Sequence, residues 1–298
     1  MLHNVGSINL DHYYRVPHLV QPGETLASHS YRVGQGGKGA NQSLAMARAG
    51  GQVCHWGRLG RQDSWVRERM AAAGVDVSHI ELVDEPSGHA IIQVDDQGEN
   101  AILIYPGANH GFSQQHWEPL WRTARNGDWL LLQNECNGLP ELFHSAHIHG
   151  LNIAFNPAPM SDSVLELPLE TCALLFVNRG EAAWLTGLPE TSAADVLLAG
   201  LHRRLPTTPT VLTLGPEGAW YQSSEERKFQ PAMSVRAVDT TAAGDTFIGY
   251  YLAALQEGQS VTRCLHLASQ AAAISVQRPG AADSIPGRDE VESHLNDP

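Results

Sequence analysis

Apolar runs of strand length that alternate with helical segments constrain the fold of this chain most strongly. Four such runs follow Tyr105, at residues 129–132, 152–155, 173–177 and 210–214. Segments with helical periodicity lie between them, including residues 139–147 and 193–204. Strands that are apolar throughout, rather than at alternate positions, are typical of a parallel sheet buried on both faces. The pattern predicts an α/β protein with a mainly parallel central sheet and helices on both of its faces.

A second, smaller sheet is predicted from two segments outside this alternation. Residues 89–105 contain two β-rich runs around a short polar loop, which is typical of a hairpin. Residues 11–33 consist of short extended pieces broken by prolines. We therefore expect one domain over residues 1–298, with a small β-sheet lid made from residues 11–33 and 89–105.

The composition is that of a globular protein that does not bind nucleic acid. Of the 298 residues, 42% are hydrophobic and 17% are charged, and the net charge is −13. Because Lys and Arg drive binding to a phosphate backbone, this charge disfavours a nucleic-acid partner. It leaves room for a nucleotide, which can bring Mg²⁺ and be held by backbone N–H groups. The four cysteines form no CxxC pair, and we see neither a signal peptide nor an apolar run of membrane-spanning length, so we expect a cytoplasmic protein away from membranes.

Polar or glycine residues follow each of the four apolar runs. Ligands of open α/β sheets bind outside the carboxyl ends of the strands, so residues in these positions predict one continuous rim of a site. They are Asn134, Glu135, Asn156, Asn178, Glu181, Gly215 and Gly218.

The strongest local signal is a run of small residues that leads into a helical segment. Ala242, Ala243 and Gly244 are placed at the helix N-terminus, where N–H groups lack helical partners and can bind an anion. Asp245 stands beside them. It is either a helix cap or a general base that takes the proton from a phosphoryl acceptor.

A glycine-rich segment near the N-terminus matches GxGxxG at Gly34, Gly36 and Gly39. This match alone is weak evidence for a dinucleotide-binding oxidoreductase. A Walker A motif is excluded, because Gly39 follows Lys38 where Ser or Thr is required.

Taken together, several motifs resemble the ribokinase-like (PfkB) carbohydrate kinase family over nearly the whole chain. The resemblance rests on an N-terminal signature, at residues 6–9 with Asp11 and at 36–41, and on a C-terminal signature at residues 239–246. Shorter matches follow the family's order, at residues 22–25, 107–109, 156–159 and 213–215. It implies a three-layer α/β/α sandwich and an ATP-dependent phosphotransferase. It also implies a homodimer formed through the lid.

The resemblance assigns roles to residues of this chain. The catalytic group would be Ala242, Ala243, Gly244 and Asp245. The sugar would be bound by Asn9, Asp11, Gly37, Lys38, Asn41, Glu135 and Asp245. ATP would be bound by Asn178, Thr213, Gly215, Gly218 and Gly244, with Glu181 holding Mg²⁺ through water. A monovalent cation, K⁺, would be held by loops that contain Asp239, Thr241, Ser275, Arg278, Gly280 and Ser284.

The expected reaction is transfer of the γ-phosphoryl group of ATP to a primary hydroxyl of a small sugar, with ribose as the first candidate. Three alternatives stay open on the same scaffold. They are a nucleoside kinase, a fructokinase-type hexose kinase and a catalytically silent sugar-binding regulator. A nucleoside would need an aromatic or apolar slot near the lid, for which the candidates are Tyr13, Tyr14 and Phe112.

Overall fold

A nine-stranded sheet forms the centre of the computed structural model, which describes residues 1–296. Its strand order is β13-β12-β11-β10-β9-β8-β1-β4-β5. The strands of this sheet are β1 (Leu2–Val5), β4 (Val53–Gly60), β5 (Asp76–Val83), β8 (Trp129–Gln133), β9 (Asn152–Asn156), β10 (Cys172–Asn178), β11 (Thr210–Thr213), β12 (Ala219–Gln222) and β13 (Arg227–Gln230). All neighbouring pairs from β5 to β11 are parallel, whereas β12 and β13 add an antiparallel edge. The mainly parallel sheet is therefore confirmed, and the antiparallel edge is an addition.

Helices cover both faces of this sheet. The helices are α1 (Lys38–Arg48), α2 (Trp65–Ala72), α3 (Gln114–Thr123), α4 (Leu139–Ile148), α5 (Arg179–Thr186), α6 (Ala194–Arg204), α7 (Ala243–Gln256), α8 (Val261–Ser275) and α9 (Arg288–Asn296). Alternate residues of one strand enter two different apolar clusters: Leu131 packs with α1, α7 and α8, whereas Leu130 and Leu132 pack with α3 to α6. This explains why the strands are apolar throughout, because side chains on both faces of each strand are buried.

A separate four-stranded sheet, the small sheet, has the order β3-β2-β6-β7. It consists of β2 (Asn9–Arg15), β3 (Ser30–Gly36), β6 (Gly88–Val94) and β7 (Asn100–Tyr105). The hairpin β6–β7 lies where the sequence predicts it, and β2 and β3 come from the other predicted lid segment. The strand β7 is exposed along its whole length. Its use as a lid stays a prediction.

Four free cysteines lie in the core of the described chain, and they are Cys54, Cys136, Cys172 and Cys264. Burial raises the pKa of every one of these thiols, for example to about 11 at Cys264. Within residues 1–296, no helix combines the length and the apolar character needed to cross a bilayer.

Candidate active site

A cavity of about 210 Å³ opens at the carboxyl ends of the central strands. Strand ends, α1 and the start of α7 all contribute to it. The residues that line it include several that were singled out from the sequence: Lys38, Asn156, Asn178, Glu181, Thr213, Ala242, Gly244 and Asp245. The structure therefore brings residues from both signature segments to one place, although about 200 residues separate Lys38 from Asp245 in sequence.

The N-terminus of α7 forms one wall of this cavity. Ala242 precedes the helix with φ 60°, the only positive φ of a non-glycine residue in the described chain. The N–H of Ala243 donates to Thr240 O at 3.2 Å, whereas the N–H groups of Gly244 and Asp245 donate to no group within residues 1–296. The positive end of the α7 dipole therefore lies at the cavity wall, with two free N–H donors. A helix N-terminus of this kind binds anions.

Asp245 lies in the first turn of α7 and is only 6% exposed. It is not the helix cap, because Ala242 occupies that position. Its carboxylate instead accepts two hydrogen bonds from α1: Asn41 Nδ2 donates to Oδ2 at 3.1 Å and Gln42 Nε2 donates to Oδ1 at 2.9 Å. The cap interpretation of Asp245 is therefore wrong, and its side chain lines the cavity.

Two further carboxylates approach the site from the small sheet and from the end of β8. Asp11 is buried on β2, and burial together with the nearby Glu135 charge raises the pKa of Asp11 to about 6. Glu135 accepts from the Ser7 hydroxyl, and from the Lys38 N–H at 2.9 Å. Burial raises the pKa of Glu135 as well, and the Lys38 charge opposes that rise. Such a pair can accept hydrogen bonds from neutral hydroxyls.

The glycine-rich segment brings α1 close to these carboxylates. Gly36 lies against the Asp11 carboxylate, so a side chain at position 36 would collide with it. Gly37 precedes α1 with φ 90°, and a Cβ there would lie 2.8 Å from the Asn9 nitrogen. Asn9 in turn accepts from Asn109 Nδ2 at 2.7 Å. The glycines are therefore required for backbone conformation and for close packing around the site.

Lys38, in the first turn of α1, carries the positive charge of the cavity. The Asp245 carboxylate raises the pKa of the Lys38 ammonium, and Glu135 and Glu181 add to the effect. No carboxylate of the described chain lies within 4.0 Å of the Lys38 nitrogen, so the charge is directed at the cavity rather than taken up by an ion pair.

The opposite wall begins where β10 meets α5. Asn178 and Glu181 form a capping box, in which each side chain accepts from the backbone N–H of the other at 2.9 Å. Burial raises the pKa of Glu181. Thr213 also lines the cavity, but Gly215 and Gly218 lie beyond it in the turn between β11 and β12, where Gly215 is exposed and Gly218 is buried. Both glycines have positive φ, and Gly218 packs against the backbone of residue 230.

Asp239 joins the two loops that the sequence predicts as a cation site. Its carboxylate accepts from Gly280 N at 2.8 Å and from Thr241 N at 2.9 Å. The side chains of Ser275 and Ser284 donate to carbonyls of their own segments, and the Arg278 guanidinium pairs with Glu290. A guanidinium has no acceptor atom for a cation, so Arg278 could contribute only its backbone carbonyl here.

The sequence interpretation missed a group of buried amide side chains behind the carboxylates. Gln42 and Gln133 are at most 1% exposed, and they connect Asp245 to Asn4 by hydrogen bonds. Gln42 directly follows Asn41 in a motif already singled out, and its position on the inner side of an amphipathic helix was the available signal.

Three aromatic residues were candidates for a slot that would hold a nucleobase. Phe112 is buried and stacks on Trp117, at 5.8 Å between ring centroids. Tyr14 packs on Tyr31, and the alternation of β2 puts Tyr14 on the face opposite Asp11. Tyr13 alone shares the Asp11 face, and Arg32 covers its ring at 3.9 Å. The three residues therefore do not form one slot.

Comparisons with known proteins agree with this geometry. Residues 1–288 match the pfkB family carbohydrate kinase. The ribokinase of Haemophilus influenzae is 36% identical over 302 residues, which cover 98% of this chain and 97% of that protein. A crystal structure of Cryptococcus neoformans ribokinase in complex with ADP has 34% identity and a TM-score of 0.85, and 99% of each chain is covered.

A second solved structure, Arabidopsis thaliana ribokinase complexed with ribose and ATP, has 27% identity and a TM-score of 0.87. The alignment covers 100% of this chain and 99% of that one. The family match spans almost all of the chain, and the relatives match it from end to end. The chain therefore belongs to the pfkB family of carbohydrate kinases.

Proposed function

We propose that this protein is an ATP-dependent ribokinase, which transfers the γ-phosphoryl group of ATP to the primary hydroxyl of ribose. One observation carries the proposal: the buried Asp245 carboxylate lies beside free N–H groups at the start of α7, in a cavity that Lys38 also lines. A base next to an anion site is what transfer from a phosphate to an alcohol requires.

Asp245 accepts the proton of the sugar hydroxyl as the hydroxyl oxygen attacks the γ-phosphorus. The bond between that phosphorus and the β,γ-bridging oxygen breaks, and ADP leaves. Asn9, Asp11, Asn41 and Glu135 hold the other hydroxyls and so orient the attacking one. Positioning of this kind is a large part of what an enzyme supplies to phosphoryl transfer.

The backbone around Ala242, Ala243 and Gly244 forms the anion site, and Lys38 adds a positive charge opposite it. Together they offset the charge that develops on the transferring oxygens. The Ala243 N–H already donates to Thr240 O, so the N–H groups of Gly244 and Asp245 are the ones that would donate to the phosphate oxygens.

Two cations fit this proposal. Mg²⁺, when bound with ATP, would supply positive charge that offsets the negative charge of the phosphates. Glu181 suits an ion held through water, because its buried carboxylate faces the cavity and both its oxygens already accept hydrogen bonds from Asn178. K⁺ would be held by the paired loops around Asp239 and Gly280, where the hydroxyls of Thr241, Ser275 and Ser284 already donate to local acceptors, so the proposal assigns most of its ligands to backbone carbonyls.

The nucleotide lies, in this proposal, along Asn178, Thr213, Gly215, Gly218 and Gly244. Both glycines lie outside the cavity of 210 Å³, on the turn next to it, where Gly215 is exposed and Gly218 is buried. Gly215 therefore marks where the adenosine would extend, beyond the enclosed part that holds the phosphates, and Gly218 would shape the turn beneath it.

A homodimer through the small sheet is also proposed. The outer strand β7 exposes four large apolar side chains in succession: Ile102, Leu103, Ile104 and Tyr105. An edge strand of this kind is a template for pairing with another chain, and a second copy of the small sheet is the simplest cover for it. We propose a cytoplasmic location, because the four free cysteines suit a reducing compartment.

A coupled ADP-release assay across ribose, deoxyribose, fructose, fructose 6-phosphate and adenosine tests the proposal. Ribose should have the highest kcat/KM. The carboxylates of Asp11 and Glu135 should repel a phosphate dianion, and like charges placed together cost several kcal/mol, so ribose should exceed fructose 6-phosphate by about a hundredfold. Faster turnover of fructose 6-phosphate, or of adenosine, would reject the assignment to ribose. Turnover of none of them would support the silent sugar-binding regulator.

A further inference from the structure

Gln42 is a buried amide in direct contact with the proposed base. It is 0% exposed, and its Nε2 donates to Asp245 Oδ1 at 2.9 Å and to Asn156 Oδ1 at 3.3 Å. We infer that Gln42 is a positioning residue; this inference rests on the proposed function, in which Asp245 is the base. It anchors Oδ1 of Asp245, and this leaves Oδ2 to face the sugar hydroxyl and take its proton.

The two donors to Asp245 differ in what else they can do. Asn41 Nδ2 donates to Oδ2 at 3.1 Å, while Asn41 Oδ1 is buried and has no partner in the described part of the chain. Asn41 is also a proposed sugar ligand, so bound sugar can take over its hydrogen bonds. Gln42 is enclosed by protein and cannot change partners in this way. It is therefore the donor that stays on the carboxylate throughout the reaction.

A chain of buried groups behind Gln42 fixes the direction of its amide. Gln133 Nε2 donates to Gln42 Oε1 at 2.8 Å and to Asn4 Oδ1 at 3.0 Å. Because an amide oxygen only accepts hydrogen bonds, the Gln133 donor requires Gln42 to present its oxygen to Gln133 and its nitrogen to Asp245. A rotated Gln42 amide would place an oxygen against the carboxylate and a nitrogen against a donor.

At the other end of this series of hydrogen bonds, the donors and acceptors fix where each proton lies. Asn4 Nδ2 donates to Ser43 Oγ at 2.8 Å, so the Ser43 hydroxyl proton is directed to His55 Nδ1, also at 2.8 Å. His55 Nε2 then carries the ring proton and donates to Gly6 O at 3.2 Å. Burial lowers the pKa of His55 to about 4, which agrees with a neutral ring at neutral pH.

Close packing of two helices allows Gln42 to reach the base. Gly249 of α7 lies against α1, and a Cβ at position 249 would be 2.8 Å from Gln42 O and 2.7 Å from Met46 N. Only glycine permits this approach without displacement of one helix. The contact that orients the base is thus built into the interface between α1 and α7.

The direct test is Gln42→Met, which keeps the length of the side chain and removes its donor. We expect kcat to fall about 10- to 100-fold, because a hydrogen bond to a charged group is lost. The KM values for ribose and ATP should stay within about threefold, because Gln42 touches neither. The matched control is Gln222→Met, since Gln222 Nε2 donates to the Leu198 carbonyl at 2.9 Å, away from the site. Its kcat should be unchanged.

A double-mutant cycle with Asp245→Asn separates this inference from the proposed function. A residue that acts through Asp245 has little left to act on once the base is gone, so Gln42→Met should lower kcat by less than about twofold in the Asp245→Asn background. If Asp245→Asn alone retains wild-type kcat, the assignment of the base fails. If Asp245→Asn is impaired but Gln42→Met retains kcat, or the two losses multiply, the anchoring role is wrong.

Gln133→Met provides the decisive variant if Gln42→Met does not fold. Gln133 contacts Gln42 but not Asp245, so its loss should lower kcat about threefold or more with both KM values unchanged. Folded Gln133→Met protein with wild-type kcat would then overturn the inference.

Discussion

The two halves of the candidate site are built in different ways. The sugar half, around Asn9, Asp11, Glu135 and Asp245, consists of side chains that are largely buried and accept hydrogen bonds from neighbouring side chains. The nucleotide half, around Thr213, Gly215, Gly218 and Gly244, offers mainly backbone and is partly open to solvent. The difference teaches that discrimination between acceptors is concentrated in the sugar half, where a mismatched partner would leave buried polar groups unpaired.

The largest effect is expected at Asp245, where the two halves meet. Asp245→Asn should lower kcat about 10²- to 10⁴-fold, because the amide cannot accept the proton. Stability should change little, for a specific reason: Asn41 can rotate its unpaired Oδ1 toward the new amide nitrogen, while Gln42 keeps donating to the new amide oxygen. Both kcat and Tm are measured on the same variant. A variant that retains more than about a tenth of wild-type kcat contradicts the role of base.

A smaller effect is expected where the nucleotide half depends on loop order. Activity should rise about fivefold or more when K⁺ replaces a bulky organic cation at equal ionic strength, because the loops joined at Asp239 and Gly280 lead directly to Ala242. Rates are compared in the two buffers, with Asp239→Ala as the variant that should lose the response. Identical rates for the unchanged protein in both buffers would remove the cation site.

The sugar half should also respond to pH through Asp11, whose pKa is raised to about 6. The Asp11 carboxyl group accepts hydrogen bonds on both of its oxygens only when it is ionised. Sugar affinity is therefore full above this pKa and falls as pH drops through it. Between pH 7.5 and pH 5.5 the ionised fraction falls about fourfold, and KM for ribose should rise by that factor. Asp11→Asn should have a higher KM that is flat over the same range. A flat profile for the unchanged protein would contradict the prediction.

The smallest effect is expected for a side chain of the nucleotide half. Thr213→Val keeps the shape of the residue and removes a hydroxyl that donates to Val177 O at 3.5 Å. A hydrogen bond of that length contributes little, so KM for ATP should change less than about threefold. Titration of ATP at saturating ribose measures this KM. The change in KM for ribose in Asp11→Asn gives the corresponding effect in the sugar half. A change of tenfold or more would show that side chains matter equally in both halves.

The same contrast explains how much the sequence predicts. Asp245 and the N-terminus of α7 were found because a helix start and its flanking residues are local in sequence. The central strands were found because burial on both faces makes them continuously apolar. Gln42 and Gln133 were missed as partners because 91 positions separate them, and only packing brings them together. The antiparallel edge was missed because β13, Arg227–Gln230, is short and mostly polar.

The buried cysteines can report how often the core of this protein opens to solvent. Alkylating reagents attack thiolates, and in the folded chain Cys54, Cys136, Cys172 and Cys264 are both enclosed and held in the thiol form. Modification should therefore proceed only through transient opening of the core, at a rate set by how often that occurs. Ligands that bind only the folded chain should slow alkylation in proportion to their occupancy. Mass spectrometry of the labelled chain would then measure sugar and nucleotide binding without any turnover.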